Sequence, residues 1–181
     1  VPVDEPVGPQ LDEILQLIAS YSHVYLGTGH VSVEEAVRVV DLAEEYGISK
    51  VLVSSSVTKI AGLEQLRYMA DKGAFLEYTL AAYTHTTPIP KTHYYVEREY
   101  SSMDEGMAEE PAGGVRLVAE QIKALGADHC IIGTDFGVYT LPPPVEGLRE
   151  FIACLLDLGI PVEDIFKLVK SNPERLLGLE S

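Results

Sequence analysis

The chain has 181 residues, 46% of them hydrophobic, enough to bury the core of one domain, which sets aside a disordered chain. Its 28 acidic groups against 13 basic ones give a formal charge of −15, so phosphate backbones and anionic membrane surfaces are repelled and nucleic acid is not expected as a partner. No run approaches the roughly 18 apolar residues of a membrane span and no charged-then-apolar leader stands at the front, so the expectation is a soluble cytoplasmic protein with no membrane partner.

After a Pro-rich leader over residues 1–9, Leu11, Ile14, Leu15 and Ile18 recur at helical spacing and predict a helix over 11–21, followed by a short apolar strand over 23–27. Ser32 and Glu35 have the S-x-x-E form of a capping box; Val33, Ala36, Val37, Val40 and Ala43 continue the helix until Gly47 stops it. Strands are predicted over 50–54, 74–80 and 128–134, and helices over 63–72, 114–125, 145–158 and 162–170, with Pro161 near the start of the last. The segment SNPERLLGL from Ser171 reads as a capped terminal helix that closes the domain. Much of the acidic excess decorates one helix through Glu34, Glu35, Asp41, Glu44 and Glu45. Cys130 and Cys154 sit in apolar runs without CxxC spacing and read as buried thiols.

Strands alternating with helices at this spacing imply βαβ units and a parallel α/β sheet, whose ligands gather at the carboxyl ends of the strands. The whole of 1–181 is read as a single α/β domain. A complete (β/α)8 barrel takes about 250 residues, so four such units amount to about half of one. Residues 81–112, rich in Tyr, Thr, His and Pro, form an insertion longer than ordinary connections and read as a lid over the functional edge. The chain opens on Val1, and the expectation is that it begins inside a longer natural sequence.

The strand ends supply the candidate chemistry. The first leads into GTGHVS, presenting His30 to a metal or substrate, or only to a neighbouring carbonyl. Ser54, Ser55 and Ser56 follow the second: three hydroxyls that orient a substrate or a water, or simply build a turn, since serine is a poor zinc ligand. Glu77 lies inside the third strand between Leu76 and Tyr78, which face the other way; burial there raises a carboxyl pKa and suits a general acid or base, with an internal salt bridge as the alternative. Asp135, in HCIIGTDFG, is held between an apolar strand and a glycine-flanked turn, and is the strongest single candidate. Helix capping competes weakly, because residues 141–144 separate it from the next apolar-periodic helix. Within the insertion, Tyr83, His85, His93, Tyr94, Tyr95 and Glu97 are candidates to descend over the mouth, Tyr83 and His85 as substrate contacts.

Taken together, GTGHVSVEEAVRVVDLAEEYGISKVLVSS, LEQLRYMADKGAFLEYTL, and GTDFG with NPERLLGL resemble the carboxyl-terminal half of an uncharacterised family of TIM-barrel, metal-dependent hydrolases of the amidohydrolase superfamily. The resemblance runs from about His23 onward, outside the insertion. It implies metal ligands from an HxH pair on the first barrel strand, histidines ending the fifth and sixth strands and an aspartate ending the eighth. His30 matches the fifth-strand histidine and Asp135 the eighth-strand aspartate, while the sixth-strand position falls among Ser54, Ser55 and Ser56. None of the five histidines has HxH spacing. Either an amino-terminal half barrel brings that pair, or His85 or His93 completes the site from the insertion.

The expectation for function is therefore a metal-dependent hydrolase acting on an amide, ester or related bond of a small-molecule substrate, with a divalent metal, zinc by preference, held by His30 and Asp135. Asp135 and Glu77 are the expected catalytic carboxylates. A decarboxylase or other lyase on the same scaffold is the alternative within enzymes. A metal-free binding protein that has lost its ligands is the alternative outside them. A half barrel leaves sheet edges open, so a homo-oligomer or a missing amino-terminal half is expected as partner.

Overall fold

A computed structural model of the chain describes residues 1, 3, 6–83, 114–137 and 141–179. It is a mixed α/β structure built on four parallel strands, β1 (Leu26–Gly27), β2 (Val51–Val53), β3 (Phe75–Thr79) and β4 (Cys130–Gly133), which lie side by side in sequence order. Around them run α1 (Pro9–Ala19), α2 (Val33–Glu45), the single turn α3 (Ser55–Thr58), α4 (Leu63–Asp71), α5 (Gly114–Leu125), α6 (Pro144–Asp157), α7 (Val162–Phe166) and α8 (Asn172–Leu177). Since each strand pairs in parallel with the next, all the carboxyl ends emerge at one edge and all the amino ends at the other.

Alternation along the strands divides the sheet into two unlike faces. Val51, Val53, Leu76, Tyr78, Cys130 and Ile132 are buried and share one core with Ala36 and Val40 of α2, Leu66 and Met69 of α4, Val118 and Ile122 of α5, and Phe151 and Leu155 of α6. On the opposite face Leu52, Glu77, Ile131 and Gly133 are half-buried while Phe75 and Thr79 are buried, with Leu52 opposite Phe75, Glu77 opposite Ile131 and Thr79 opposite Gly133. The helices touch in chain order, α2 on α4, α4 on α5, α5 on α6 and α6 on α7. They form a continuous layer over the buried face.

Local chemistry accounts for the element boundaries. Ser32 and Glu35 make the reciprocal capping box, with Glu35 N–H donating to Ser32 Oγ at 3.2 Å and Ser32 N–H to Glu35 Oε2 at 2.9 Å. The buried face of α2 also takes Val39 and Leu42, while Val33 and Val37 lie at its margin. β1 is shorter than the 23–27 stretch predicted: it is an outer strand, tied to β2 where Leu26 N–H donates to Lys50 O and Thr28 N–H to Leu52 O. Cys130 is buried, which pushes its thiol up to about 12, and Cys154 is half-buried; both are free.

The last helix departs from expectation. Ser171 does not cap it: the backbone stays helical through a π turn (Lys167–Ser171) that joins α7 to α8, and Ser171 has φ −61° and ψ −43°. The fastening comes from the next residue. Asn172 is buried, and its Nδ2 donates to both Ala127 O and Cys130 O at 2.7 Å, which satisfies two carbonyls at the amino end of β4. Gly178, at φ 71°, then ends α8 in a left-handed turn in which Leu179 N–H returns to Glu174 O.

Candidate active site at the carboxyl edge of the sheet

Each strand delivers a short polar segment to the carboxyl edge. β1 runs into Thr28, Gly29 and His30, with Gly29 at φ 66°. β2 runs into the three serines, and Ser54 Oγ accepts from Ser56 N–H to cap α3, so that the turn reading of the serine run applies to its first member. β3 carries Glu77 and Thr79 on one face and continues into a 3-10 turn (Leu80–Tyr83). β4 is followed by Thr134, Asp135 and Phe136.

Short hydroxyls stitch these segments together. Ser54 N–H donates to Thr28 Oγ1 (3.0 Å), Ser55 Oγ and Thr79 Oγ1 share a hydrogen bond of 2.7 Å, and Ser56 Oγ donates to Ser54 Oγ at 3.1 Å. Thr58 lies behind them, fully buried; its hydroxyl lies 2.7 Å from Glu77 O as a donor and 2.9 Å from the Tyr83 hydroxyl. Gln121 of α5 donates to Thr58 O. Four separate chain segments are thus held in register by groups too short to move far.

Two carboxylates stand among these hydroxyls in unlike surroundings. Glu77 is half-buried, and burial holds its carboxyl above the ordinary range; the Ser55 N–H, 3.4 Å from Oε2, works against that rise and the negative charge of Asp135 adds to it. Asp135 is exposed and adopts φ 53°, the left-handed region, alone among the described non-glycine residues. Its neighbours are fixed: Thr134 O accepts from Ala81 N–H at 3.0 Å, and Phe136 N–H donates to Thr134 Oγ1. Among the described residues it caps no helix, since α6 begins at Pro144 with Pro143 in the cap position.

The other expected site residues fall out differently. His30 is exposed at the same edge, but after β1, whereas Asp135 follows β4; three strand spacings separate those outer strands, about 14 Å across the sheet. Ser55 is buried with its hydroxyl committed to Thr79, which leaves Ser54 and Ser56 as the half-buried hydroxyls. Tyr83 belongs to the core and not to a lid: it is buried, bonded to Thr58 and set 6.1 Å from the ring of Tyr78. His85, His93, Tyr94, Tyr95 and Glu97 lie outside the described residues. Among the described residues no group of three or more His, Cys, Asp or Glu is gathered as a metal ion requires, so His30 and Asp135 do not by themselves form a zinc centre.

Sequence reasoning missed Thr28, Thr58, Thr79 and Gln121. Strand alternation from Glu77 points to Thr79. Thr58 had no comparable signal, because α3 is one turn long and its serines read as a loop.

Residues 2–77 match the model of a family described as "Family of unknown function (DUF6282)". That stretch takes in α1 to α4, His30, all three serines and, as its last residue, Glu77; Asp135 lies beyond it. No curated protein and no solved structure matches the chain.

Proposed function

We propose that this protein is a hydrolase of the amidohydrolase type, acting on an amide, ester or related bond of a small molecule at the carboxyl edge of its sheet. One observation carries the reading: two carboxylates stand at that edge in unlike surroundings, Glu77 half-buried with burial raising its carboxyl, Asp135 exposed on a left-handed turn. Such a division suits acid and base roles on one bond. Asp135 takes the proton of an attacking water as its oxygen bonds to the substrate carbon. Glu77, which holds its proton to higher pH than an ordinary carboxyl, gives that proton to the departing nitrogen or oxygen. Ser54 and Ser56 orient the substrate.

The strand order supports a finer architecture. Parallel strands neighbouring one another in sequence order, with helices over one face, suit the wall of a (β/α)8 barrel, of which four such units would make about half. Among the described residues β1 and β4 each pair on one side only, which suits a homo-oligomer or an amino-terminal half barrel as partner. Two free thiols suit a reducing, cytoplasmic setting. Among the described residues, no helix is long and apolar enough to cross a membrane.

Zinc belongs to this proposal through the resemblance alone. The described residues place His30 and Asp135 on outer strands about 14 Å apart and gather no ligand set, so the acid and base roles above rest on side chains only. A metal-free binding protein is the second reading, favoured by the serines that stand where the resemblance implies a histidine and by the cap that Ser54 makes on α3. Metal analysis of the purified protein, a hydrolysis screen over small amides and esters, and Asp135→Asn separate the two. Full hydrolytic activity in that variant ends the assignment of Asp135, and absence of hydrolysis with tight ligand binding favours the second reading.

A further inference from the structure

We propose that Gly147 and Phe136 are positioning residues, a notch and the ring seated in it, which together lock the left-handed turn at Asp135 and fix where its carboxylate points. The inference rests on Asp135 being the catalytic carboxylate of the preceding reading. Gly147 lies buried in the first turn of α6, where a glycine weakens a helix. Its φ is not positive, so backbone freedom does not explain the residue. Space does: a methyl group at 147 would overlap Cε2 and Cδ2 of Phe136 and stand 3.3 Å from its Cζ.

Phe136 follows Asp135 directly and packs against the core. On the other side Thr134 O is held by Ala81 N–H, at the start of the turn after β3. Asp135 is therefore clamped between a backbone hydrogen bond and a half-buried ring while its own side chain stays in solvent. A left-handed aspartate stores strain that persists only where its surroundings over-determine it. The notch on α6 is the part of those surroundings that a single atom abolishes.

The test uses the full chain, isotope-labelled, as wild type, Gly147→Ala, Phe136→Leu and the double variant. Two readouts are independent of catalysis: the strong intraresidue amide–Hα contact that marks a positive φ at Asp135, and hydrogen exchange of the Ala81 amide. In Gly147→Ala the positive-φ mark disappears and Ala81 exchanges faster by about tenfold or more, while Leu26 and Thr28 in the distant β1 region keep their protection. Phe136→Leu gives a smaller change of the same kind, and the double variant, in which the shorter side chain admits the methyl, recovers part of the Ala81 protection. An unchanged Asp135 turn in a folded Gly147→Ala protein overturns the proposal, as does an equal loss of protection at every amide. Should Gly147→Ala fail to fold, Phe136→Leu decides: Asp135 retained at positive φ with Ala81 fully protected also overturns it. Hydrolysis is assayed separately on the wild type, so a failure of the enzymatic reading shows there and leaves the two backbone readouts to judge the lock.

Discussion

The two edges of the sheet are held by different means. At the amino edge the terminal helix does the holding: Asn172 satisfies two buried carbonyls, Arg175 donates to Asp128 O at 2.9 Å, and its guanidinium lies over the ring of Phe75. At the carboxyl edge the ties are hydroxyls from neighbouring strand ends, and the charged groups are left over, one half-buried and one in solvent. Asn172 and Arg175 consume their polar atoms in fastening an element; threonine and serine fasten without using up the acids. The difference teaches where a parallel α/β sheet can keep carboxylates uncommitted without losing its register: fastening falls to the amino edge, and the carboxyl edge is left free for the proposed chemistry.

The largest effect that follows is catalytic. Asp135→Asn should lower hydrolytic kcat/KM at least about a hundredfold, the scale of a lost general base, with little change in Tm, because asparagine accepts the left-handed conformation as readily as aspartate. An unfolding transition that moves with the activity would break the division between edges. The amino edge predicts the converse. Asn172→Ala takes the side-chain donor from Cys130 O and leaves Ala127 O with the Cys130 N–H alone, in a buried setting, and should cost about 1 to 3 kcal/mol, read by urea denaturation, with the activity of the folded fraction unchanged. A loss under about 1 kcal/mol would mean that water reaches Ala127 O and Cys130 O and that the helix is fastened elsewhere.

How much of this was legible in the sequence depends on whether the signal was local. The capping box at Ser32 and Glu35, the whole of α5 and the placement of Glu77 within β3 rest on spacing along the chain, and the structure has them where spacing puts them. The convergence of Glu77 with Ser55 and Thr79 depends on which strands are neighbours, and no periodicity carries that. The distance between His30 and Asp135 is the same kind of quantity: both follow strands, yet strand order sets them on opposite outer strands. Composition places Tyr83 with the insertion, because it opens the polar and aromatic run Tyr83, Thr84, His85, Thr86, Thr87, whereas burial of its ring against Tyr78 decides its place. The π turn before Asn172 has no pattern of its own, since lysine, leucine and valine suit an ordinary helix equally well.

A smaller effect sharpens the comparison away from either edge. Ser32→Ala removes the acceptor for Glu35 N–H on the exposed start of α2 and should cost about 1 kcal/mol by denaturation, with no effect on catalysis. If activity fell as well, the β1 to α2 connection that carries His30 would be part of the working site and not only of its frame.

The smallest expected effect is also the most diagnostic, because its sign depends on pH. Glu77 has a folded-state pKa above its unfolded value, chiefly through burial, so between those two values the folded protein binds more protons than the unfolded one. Stability therefore falls as pH rises through that window: the carboxyl is tolerated below the ordinary glutamate range and penalised above the folded pKa. Glu77→Gln keeps an oxygen for the Ser55 N–H and loses the charge. The variant should match the wild type in acid and be slightly the more stable of the two near neutrality, a gap seen by comparing urea midpoints at pH 4 and pH 7.5. On the proposed mechanism its activity should fall across the same range, since glutamine has no proton to give the leaving group. A variant less stable than the wild type at neutral pH would show that the Glu77 carboxylate is bound by a cationic partner in the folded protein, and would place Glu77 with the fastening groups of the amino edge instead of the reactive ones.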